Sequence, residues 1–141
     1  MPIRNCEVKD VNEVYGLLNE LEETIFDLEK FTSIYLEKLD DDNCYNLVYC
    51  VDNKVVGFIG LSIEYKLHHH DKVCLIEELV VNPNYRSQKI GSELLEKGIS
   101  VAKYNNCELI ELTSNIKRTR AHEFYKNHDF VSNGYRFIQK L

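Results

Sequence analysis

The segment of residues 73–92 restricts the fold of this chain more than any other part of the sequence. It starts with an apolar run over residues 73–81 that only Glu77 and Glu78 interrupt. Such a run is typical of a strand buried on both faces of a sheet. A proline ends the run, and a short polar loop then leads into an apolar pattern that predicts a helix over residues 90–104. A strand that passes directly into a helix indicates a mixed α/β domain.

The rest of the chain alternates between strand and helix patterns in the same way. Strands are predicted over residues 3–8, 45–51, 55–65, 109–113 and 130–138, and further helices after Asp10 and over residues 27–39 and 117–128. Asp10 and Glu13 have the spacing of a capping box, and Asp52-Asn53-Lys54 predicts a hairpin turn. Gly57 and Gly60 indicate a bulge or a close backbone approach. The order β-α-α-β-β-β-α-β-α-β predicts one α/β domain over residues 1–141.

Composition excludes several classes of protein. The chain has 141 residues and a net charge of −6, whereas nucleic-acid binding normally needs a basic surface. No run approaches the roughly 18 apolar residues of a membrane span, and the first residues do not form a signal peptide. The five cysteines have no C-x-x-C spacing, which is typical of reduced thiols. The sequence therefore predicts a cytoplasmic protein with no nucleic-acid or membrane partner.

The loop before the predicted helix at residue 90 has the features of an anion site. A helix start leaves about four backbone N–H groups unpaired, and its dipole attracts negative charge. Arg86 and Lys89 add positive charge there, and Gly91 lets a ligand approach the backbone. From spacing alone, an ordinary strand–helix connection remains the commoner explanation. The chain has neither G-x-x-x-x-G-K-[ST] nor G-x-G-x-x-G, which disfavours NTP hydrolysis and nicotinamide chemistry.

The sequence of this loop supports the anion site by resemblance. The run Arg86-Ser87-Gln88-Lys89-Ile90-Gly91 resembles the [RQ]-x-x-G-x-[GA] acyl-CoA loop of the GNAT family of N-acetyltransferases. The preceding strand, Asn115 and the block Ala121-His122-Glu123-Phe124-Tyr125 are also similar to that family. Lys89 stands where the motif has its first glycine, and Asp129 where many members have another. The resemblance covers nearly the whole chain and implies a mostly antiparallel central sheet with splayed central strands, flanked by helices.

The resemblance implies acetyl-CoA as cosubstrate. The residues that it places at the cofactor are Leu79, Val80, Val81, Arg86, Ser87, Gln88, Lys89, Ile90, Gly91, Ser92 and Asn115. In the family, the strand backbone at residues 79–81 pairs with the pantetheine arm, and one N–H group there polarises the thioester carbonyl. Asn115 is expected to reach the pantetheine from the neighbouring strand.

Acetyl transfer to an amine needs a base, because a lysine-like amine with a pKa of about 10.4 is protonated at pH 7. Strand alternation predicts that Glu77 and Glu78 point to opposite faces. A desolvated carboxylate has a raised pKa and suits a general base. From the residues alone, the commoner explanation is that one or both flank a bulge and contact solvent, and the choice between them stays open. The resemblance favours Glu78 as the base. Tyr125 beside Phe124 is more typical of core packing by itself, but the resemblance implies that it protonates the leaving thiolate.

Shorter matches suggest a branch of the family. Leu67-His68-His69, Asn115-x-Lys117-Arg118 and Arg136-Phe137 are similar to the aminoalkylphosphonate N-acetyltransferases. That branch implies a small primary amine as acceptor. Lys117, Arg118, Arg120 and Arg136 are candidate cations for its phosphonate, although a solvated basic face explains any one of them equally well.

That branch also implies a divalent metal, to which no ligand is assigned. The run His68-His69-His70 is more typical of a polar turn than of a metal site. The sequence therefore leaves the metal requirement open.

Two alternatives to the phosphonate acetyltransferase stay open. In the first alternative, the acceptor is another amine, such as a polyamine, an aminoglycoside or a peptide N-terminus. The acidic net charge of the chain favours such cationic acceptors. Alternatively, the chain is a non-catalytic acyl-CoA-binding module. The oligomeric state is undetermined, with a homodimer among the alternatives.

Overall fold

The computed structural model describes residues 2–141, leaving out the side chain of Ser87. The strands are β1 (Ile3–Asn5), β2 (Cys44–Val51), β3 (Lys54–Lys66), β4 (Asp71–Val81) and β5 (Leu109–Leu112). The helices are α1 (Val11–Glu22), α2 (Leu28–Asp40), α3 (Ile90–Tyr104) and α4 (Thr119–Lys126), with 3₁₀ segments at Val8–Asp10 and Pro83–Gln88. The elements follow the predicted order, except after α4.

The strands form a sheet in the order β1-β2-β3-β4-β5. The pairs β1–β2, β2–β3 and β3–β4 are antiparallel. The Glu108 N–H group, just before β5, donates to the carbonyl of Lys72 at 2.9 Å, so β4 and β5 begin side by side. This architecture confirms the predicted mixed α/β class with a mostly antiparallel sheet.

The chain divides into two compact units. The first ends at Glu111 and contains the helices α1, α2 and α3 and nearly all of the sheet, and the second is Leu112–Leu141 with α4. The expectation of a single domain over residues 1–141 stays a prediction.

A tight turn sets the register of β2 and β3. Asp52 and Asn53 connect the strands and have φ angles of 50° and 63°. Two successive residues with positive φ are typical of a type I′ turn, whose twist matches that of a hairpin. The predicted hairpin is therefore confirmed, and its turn positions both antiparallel strands.

One face of the sheet packs against α1 and α2. The buried residues of this layer are Val14, Leu17 and Leu18 of α1, Tyr35 of α2, and Val48, Val55, Phe58 and Val80 of the sheet. Removing such apolar surface from water is the main force that holds a domain of this size together. On the same face, Gly60 of β3 contributes no side chain.

The other face packs closely against α3. A β-carbon at Gly57 would lie 2.9 Å from Leu94 Cδ1, and one at Gly98 would lie 3.1 Å from Ile59 Cδ1. Because neither glycine has a β-carbon, the helix can approach the centre of the sheet. The close approach predicted at Gly57 is confirmed.

Asp10 does not cap α1 as predicted. Its carboxylate accepts hydrogen bonds from Arg4 Nη1 and Nη2 at 2.7 and 2.9 Å and from the Glu7 N–H group at 2.8 Å. Glu13 instead accepts the Val55 N–H group at 2.9 Å. The 3₁₀ turn before α1 places Asp10 in helical backbone geometry, whereas a side-chain N-cap requires extended geometry.

The predicted strand at residues 130–138 is absent from the second unit. Within the described residues, no regular element follows α4, and Val131, Tyr135 and Phe137 are almost fully exposed. A strand needs a partner for its backbone groups and a covered face, and the segment has neither in this unit. Asp129, with φ of 68°, lies in the turn after α4 and has the left-handed geometry that aspartate tolerates.

None of the helices that the structure describes in residues 2–141 has both the length and the apolar composition needed to cross a membrane.

Asp10→Asn should lower the free energy of unfolding at pH 7 by about 2 kcal/mol, because Arg4 then loses its carboxylate partner. The hydrogen bonds from Arg4 hold the pKa of Asp10 below its ordinary value. Ionised Asp10 therefore stabilises the fold above the unfolded pKa, and this contribution disappears as pH falls through the lower folded pKa. Urea unfolding at pH 7 and in strong acid measures the difference. Glu96→Gln, at an exposed site on α3, is the matched control, and equal losses in both variants would contradict the assignment.

Candidate active site

The loop between β4 and α3 ends in an uncapped helix start. Asn82 Oδ1 accepts the Asn84 N–H group at 2.9 Å and begins the 3₁₀ segment. No side chain among the described residues caps the first turn of α3. The N–H groups of Ile90, Gly91 and Ser92 are therefore available to an anion, and the helix dipole adds to the attraction. The local geometry can hold a phosphate group.

Lys89 enters this helix with a left-handed backbone, at φ 63° and ψ 15°. Left-handed geometry costs a residue with a β-carbon roughly 1–2 kcal/mol. The glycine motif of the resembled loop would avoid this cost. The Lys89 side chain is exposed beside the helix start, so the substitution adds a positive charge there.

Arg86 lies in an ion pair within the first unit. Its Nη2 donates to the two carboxylate oxygens of Glu20 at 3.0 and 3.3 Å, and its Nε donates to the Val81 carbonyl at 3.3 Å. Arg86 thus fastens the loop to α1, and its charge is balanced by Glu20. Gln88 is exposed in the same loop, and the predicted role of the Ser87 side chain lies outside the described residues.

β4 contains a bulge at Glu77. The register against β3 shifts between Gly60 and Leu61, which leaves Glu77 without a partner on β3. Ser62 Oγ donates to Glu77 Oε1 at 3.0 Å, and a β-carbon at Gly60 would lie 2.6 Å from Glu78 Oε1. Gly60 and Ser62 are two residues apart on β3, so they share a face. Both glutamates therefore lie on that face, and the prediction of opposite faces was wrong.

The Glu78 carboxylate loses part of its hydration to burial, and no hydrogen bond from the described residues replaces that hydration. It is half-buried over Gly60, and no described residue donates a hydrogen bond to it. Burial, with repulsion from Glu77, raises the pKa of Glu78 to about 7, although Lys38 of α2 acts in the opposite direction. A carboxylate with this pKa can accept a proton near neutral pH.

The end of β4 has a free edge in the first unit. β5 is four residues long and begins beside Lys72, whereas β4 is eleven residues long in total and extends to Val81. The backbone of Leu79, Val80 and Val81 therefore lies beyond the length over which β5 can pair with it. Unpaired strand amides of this kind can bind an extended ligand or a developing oxyanion.

Asn115 stabilises the turn before α4 in the second unit. Its Oδ1 accepts the Lys117 N–H group at 2.9 Å, and its backbone carbonyl accepts the Arg118 N–H group at 3.0 Å and lies 2.9 Å from His122 Nε2. The side-chain oxygen is thus already used within the turn. The amide nitrogen is the group that Asn115 can offer to a ligand.

Tyr125 is half-buried in the second unit between two aromatic rings. The Phe124 and Phe130 rings lie edge-on to it, with centroids 5.3 and 5.7 Å away. Burial raises the pKa of Tyr125 above its ordinary value, and Arg118 opposes this effect. The phenol therefore stays protonated at neutral pH, as a proton donor must before it acts.

The predicted polar turn with three histidines is confirmed between β3 and β4. His69 Nε2 lies 3.7 Å from Glu111 Oε2, and the His68 and His69 rings pack together. No group of three or more His, Cys, Asp or Glu side chains in the described part of the chain is arranged to hold a metal ion. Among the described residues, no ligand set is therefore identified for the divalent metal that the branch implies.

Sequence reasoning missed two residues beside the candidate site residues. Glu20 pairs with Arg86, and Ser62 holds Glu77. The sequence did contain a signal for Ser62, because this polar residue interrupts an apolar part of β3. In the structure Ser62 is 6% exposed. For Glu20 there was no local signal, since its partner is 66 residues away in the chain.

Comparisons with known proteins show the family to which the chain belongs. The model of the acetyltransferase (GNAT) family matches residues 11–130, and the chain belongs to this family of acyltransferases. The chain is 36% identical over 139 residues to the aminoalkylphosphonate N-acetyltransferase of Salmonella typhimurium, covering 99% of this chain and 90% of that protein.

Solved structures extend the likeness to the fold. A glucosamine-6-phosphate N-acetyltransferase from Arabidopsis thaliana superposes with a TM-score of 0.81 at 21% identity, over 98% of this chain and 96% of that one. A protein described as a transcriptional regulator from Bacillus halodurans has a TM-score of 0.90 at 22% identity, over 99% of this chain and 98% of that one. At these identities the likeness shows the fold alone.

Lys89→Gly should raise the free energy of unfolding by up to about 1 kcal/mol. The change removes the cost of left-handed geometry, while the larger entropy of glycine in the unfolded chain offsets part of the gain. Lys89→Ala is the matched control, since it removes the same charge but keeps the β-carbon. Urea unfolding compares the three proteins, and equal stability of the two variants would show that backbone geometry is not the cause.

Glu78→Gln should stabilise the fold at pH 8 by about 2 kcal/mol and have little effect near pH 5. The folded pKa of Glu78, about 7, lies above the ordinary value of 4.5. Its contribution to stability is therefore complete below the unfolded pKa and is lost as pH rises through the folded pKa. Thermal unfolding across this range measures the effect. Equal stabilisation at both pH values would contradict a buried, proton-binding carboxylate, and Glu96→Gln controls for net charge.

Proposed function

We propose that this acyltransferase moves the acetyl group of acetyl-CoA to the primary amine of a small molecule. The observation that carries the proposal is the arrangement along β4. The strand bears Glu78, with a pKa of about 7, and leads through a short loop into the uncapped start of α3. A proton acceptor on β4 thus lies near the start of the loop, and an anion site at the first turn of α3 lies at the end of the loop.

The loop and helix start would anchor the pyrophosphate of coenzyme A. The amides of Ile90, Gly91 and Ser92 would donate to phosphate oxygens, and Lys89 would add charge. Gln88 and Ser87 complete the proposed loop. Arg86 would act mainly by holding the loop against Glu20.

The proposed chemistry divides among three groups. Glu78 accepts the proton of the substrate ammonium, directly or through water, so that the amine nitrogen can attack the thioester carbon. A backbone N–H group within residues 79–81 donates to the developing oxyanion. Tyr125 donates its proton to the sulfur as the carbon–sulfur bond breaks, while Asn115 binds the pantetheine amide. The nitrogen loses its second proton as the amide forms, and this proton returns to Tyr125 directly or through solvent, while Glu78 releases its own proton to solvent.

An aminoalkylphosphonate is the acceptor that we favour. The relative that is 36% identical bears that substrate in its name. Lys117, Arg118 and Arg120 lie at the start of α4 in the second unit, and arginine suits a tetrahedral anion. The location that we propose for the protein is the cytoplasm, where acetyl-CoA and free amines are both present.

A cationic amine is the second candidate acceptor. Glu77 and Glu78 share one face of the sheet, and the chain has a net charge of −6. Two carboxylates would attract a polyamine or an aminoglycoside more strongly than a phosphonate.

A thiol-release assay with acetyl-CoA tests the proposal. The amines are aminomethylphosphonate, aminoethylphosphonate, spermidine and an aminoglycoside, each with and without a chelator. We expect amine-dependent thiol release, with the highest kcat/KM for a phosphonate and activity that rises through about pH 7, as Glu78 loses its proton. Spermidine as the best substrate would select the cationic acceptor. Acetyl-CoA binding without turnover of any amine would support a binding module instead, and no binding by calorimetry would refute the proposal.

Tyr125→Phe is the variant that separates catalysis from binding in this assay. It should lower kcat roughly 100-fold with little change in the Kd for acetyl-CoA, because a general acid contributes mainly in the transition state. Tyr135→Phe is the matched control, since Tyr135 is 91% exposed in the same unit. An unchanged kcat in Tyr125→Phe would exclude the tyrosine as the acid.

A further inference from the structure

The hydrogen bond between Ser62 and Glu77 is unusual because it joins a buried hydroxyl group to an exposed carboxylate. Ser62 is 6% exposed, whereas Glu77 is exposed, and the hydroxyl donates to the carboxylate at 3.0 Å. Within the interior, such a hydroxyl normally bonds to a nearby backbone group. Here it bonds to a charged side chain that would otherwise extend into water. The contact therefore restrains Glu77 at the sheet surface.

The bulge makes this restraint effective on Glu78. Because β4 has an extra residue at Glu77, successive glutamates lie on the face of β3 that carries Gly60 and Ser62. In a regular strand, the Glu77 charge would lie on the opposite side of the sheet. The bulge alone leaves a flexible carboxylate there, and the Ser62 hydroxyl fixes its position.

The other charges that face Glu78 do not reproduce this effect. Glu22 of α1 adds a weaker repulsion, and Lys38 of α2 adds an attraction, while β3 contributes no charge beside it. Glu77 is the nearest like charge in the sequence and the one with the strongest repulsion. A change in the position of Glu77 would therefore change the proton affinity of Glu78 directly.

We infer that Ser62 and Glu77 are positioning residues for Glu78. The Ser62 hydroxyl holds the Glu77 carboxylate on the Glu78 side of the sheet, where its negative charge adds to the effect of burial and favours the protonated form of Glu78. The catalytic consequence rests on the proposed role of Glu78 as base, but the effect on its proton affinity does not.

Direct titration of Glu78 tests the inference without any substrate. Protein labelled with [δ-¹³C]glutamate is titrated by NMR, and the Glu78 signal is assigned by its loss in Glu78→Gln. Glu77→Gln should move the midpoint of the Glu78 titration roughly half to one pH unit lower. Ser62→Ala should move it in the same direction, and Ser62→Thr, which keeps the hydroxyl, should restore it.

A double variant distinguishes a role through Glu77 from a general packing effect. If Ser62 acts only by holding Glu77, the midpoint in Ser62→Ala/Glu77→Gln will equal that in Glu77→Gln alone. Additive shifts would show that Ser62 acts by another route. Glu96→Gln, with the same charge change on α3, should leave the midpoint unchanged, and an unchanged midpoint in Glu77→Gln and Ser62→Ala would overturn the inference.

Kinetics adds a separate readout. If the proposed acetyl transfer occurs, the acid limb of the kcat/KM profile should move with the NMR midpoint in Glu77→Gln and Ser62→Ala. Matching NMR shifts without acetyl transfer would refute the proposed function and support the positioning pair. Acetyl transfer with an unmoved NMR midpoint would support the proposed function and refute the positioning pair.

Discussion

The extra residue in β4 is the constraint on which the candidate site depends. A bulge inserts one residue against an unchanged partner strand, and it turns Glu77 and Glu78 toward one face of the sheet. The absence of a β-carbon at Gly60 leaves space for the Glu78 carboxylate. Without the bulge, Glu77 would lie on the opposite face, and a β-carbon at residue 60 would displace the Glu78 carboxylate from its partly desolvated position. The raised pKa of Glu78 therefore comes first from burial, which this backbone geometry permits, and second from the repulsion of Glu77.

The anion site depends on a different and more local property. The first amides of α3 are free because no described side chain caps them, and Lys89 turns the chain into the helix with left-handed geometry. A residue that costs stability at such a place is typical of functional loops, where local strain is tolerated. The Arg86–Glu20 pair and the Asn82 cap hold the loop on the N-terminal side of this strained position.

The charge pattern of the site bears on the acceptor. The two glutamates and the net charge of −6 favour a cationic amine, whereas the basic start of α4 and the relative from Salmonella typhimurium favour a phosphonate. An aminoalkylphosphonate carries both an ammonium group and an anion. Such a zwitterion can be attracted by acidic and basic groups together, so the two tendencies are compatible in one ligand class.

The order of the elements, the hairpin at Asp52, the helix over residues 90–104 and the GNAT loop were all predictable, because each depends on residues adjacent in the chain. Local patterns could not establish a strand at residues 130–138, since a strand also needs a partner and a covered face. They also predicted the wrong faces for Glu77 and Glu78, because a single shift in register between β3 and β4 reverses strand alternation. The sequence alone therefore determined which residues are candidates for the chemistry. The tertiary structure decided the shared face of the glutamates, the burial of Glu78 and the partners of Ser62 and Arg86, because these depend on contacts between segments distant in the chain.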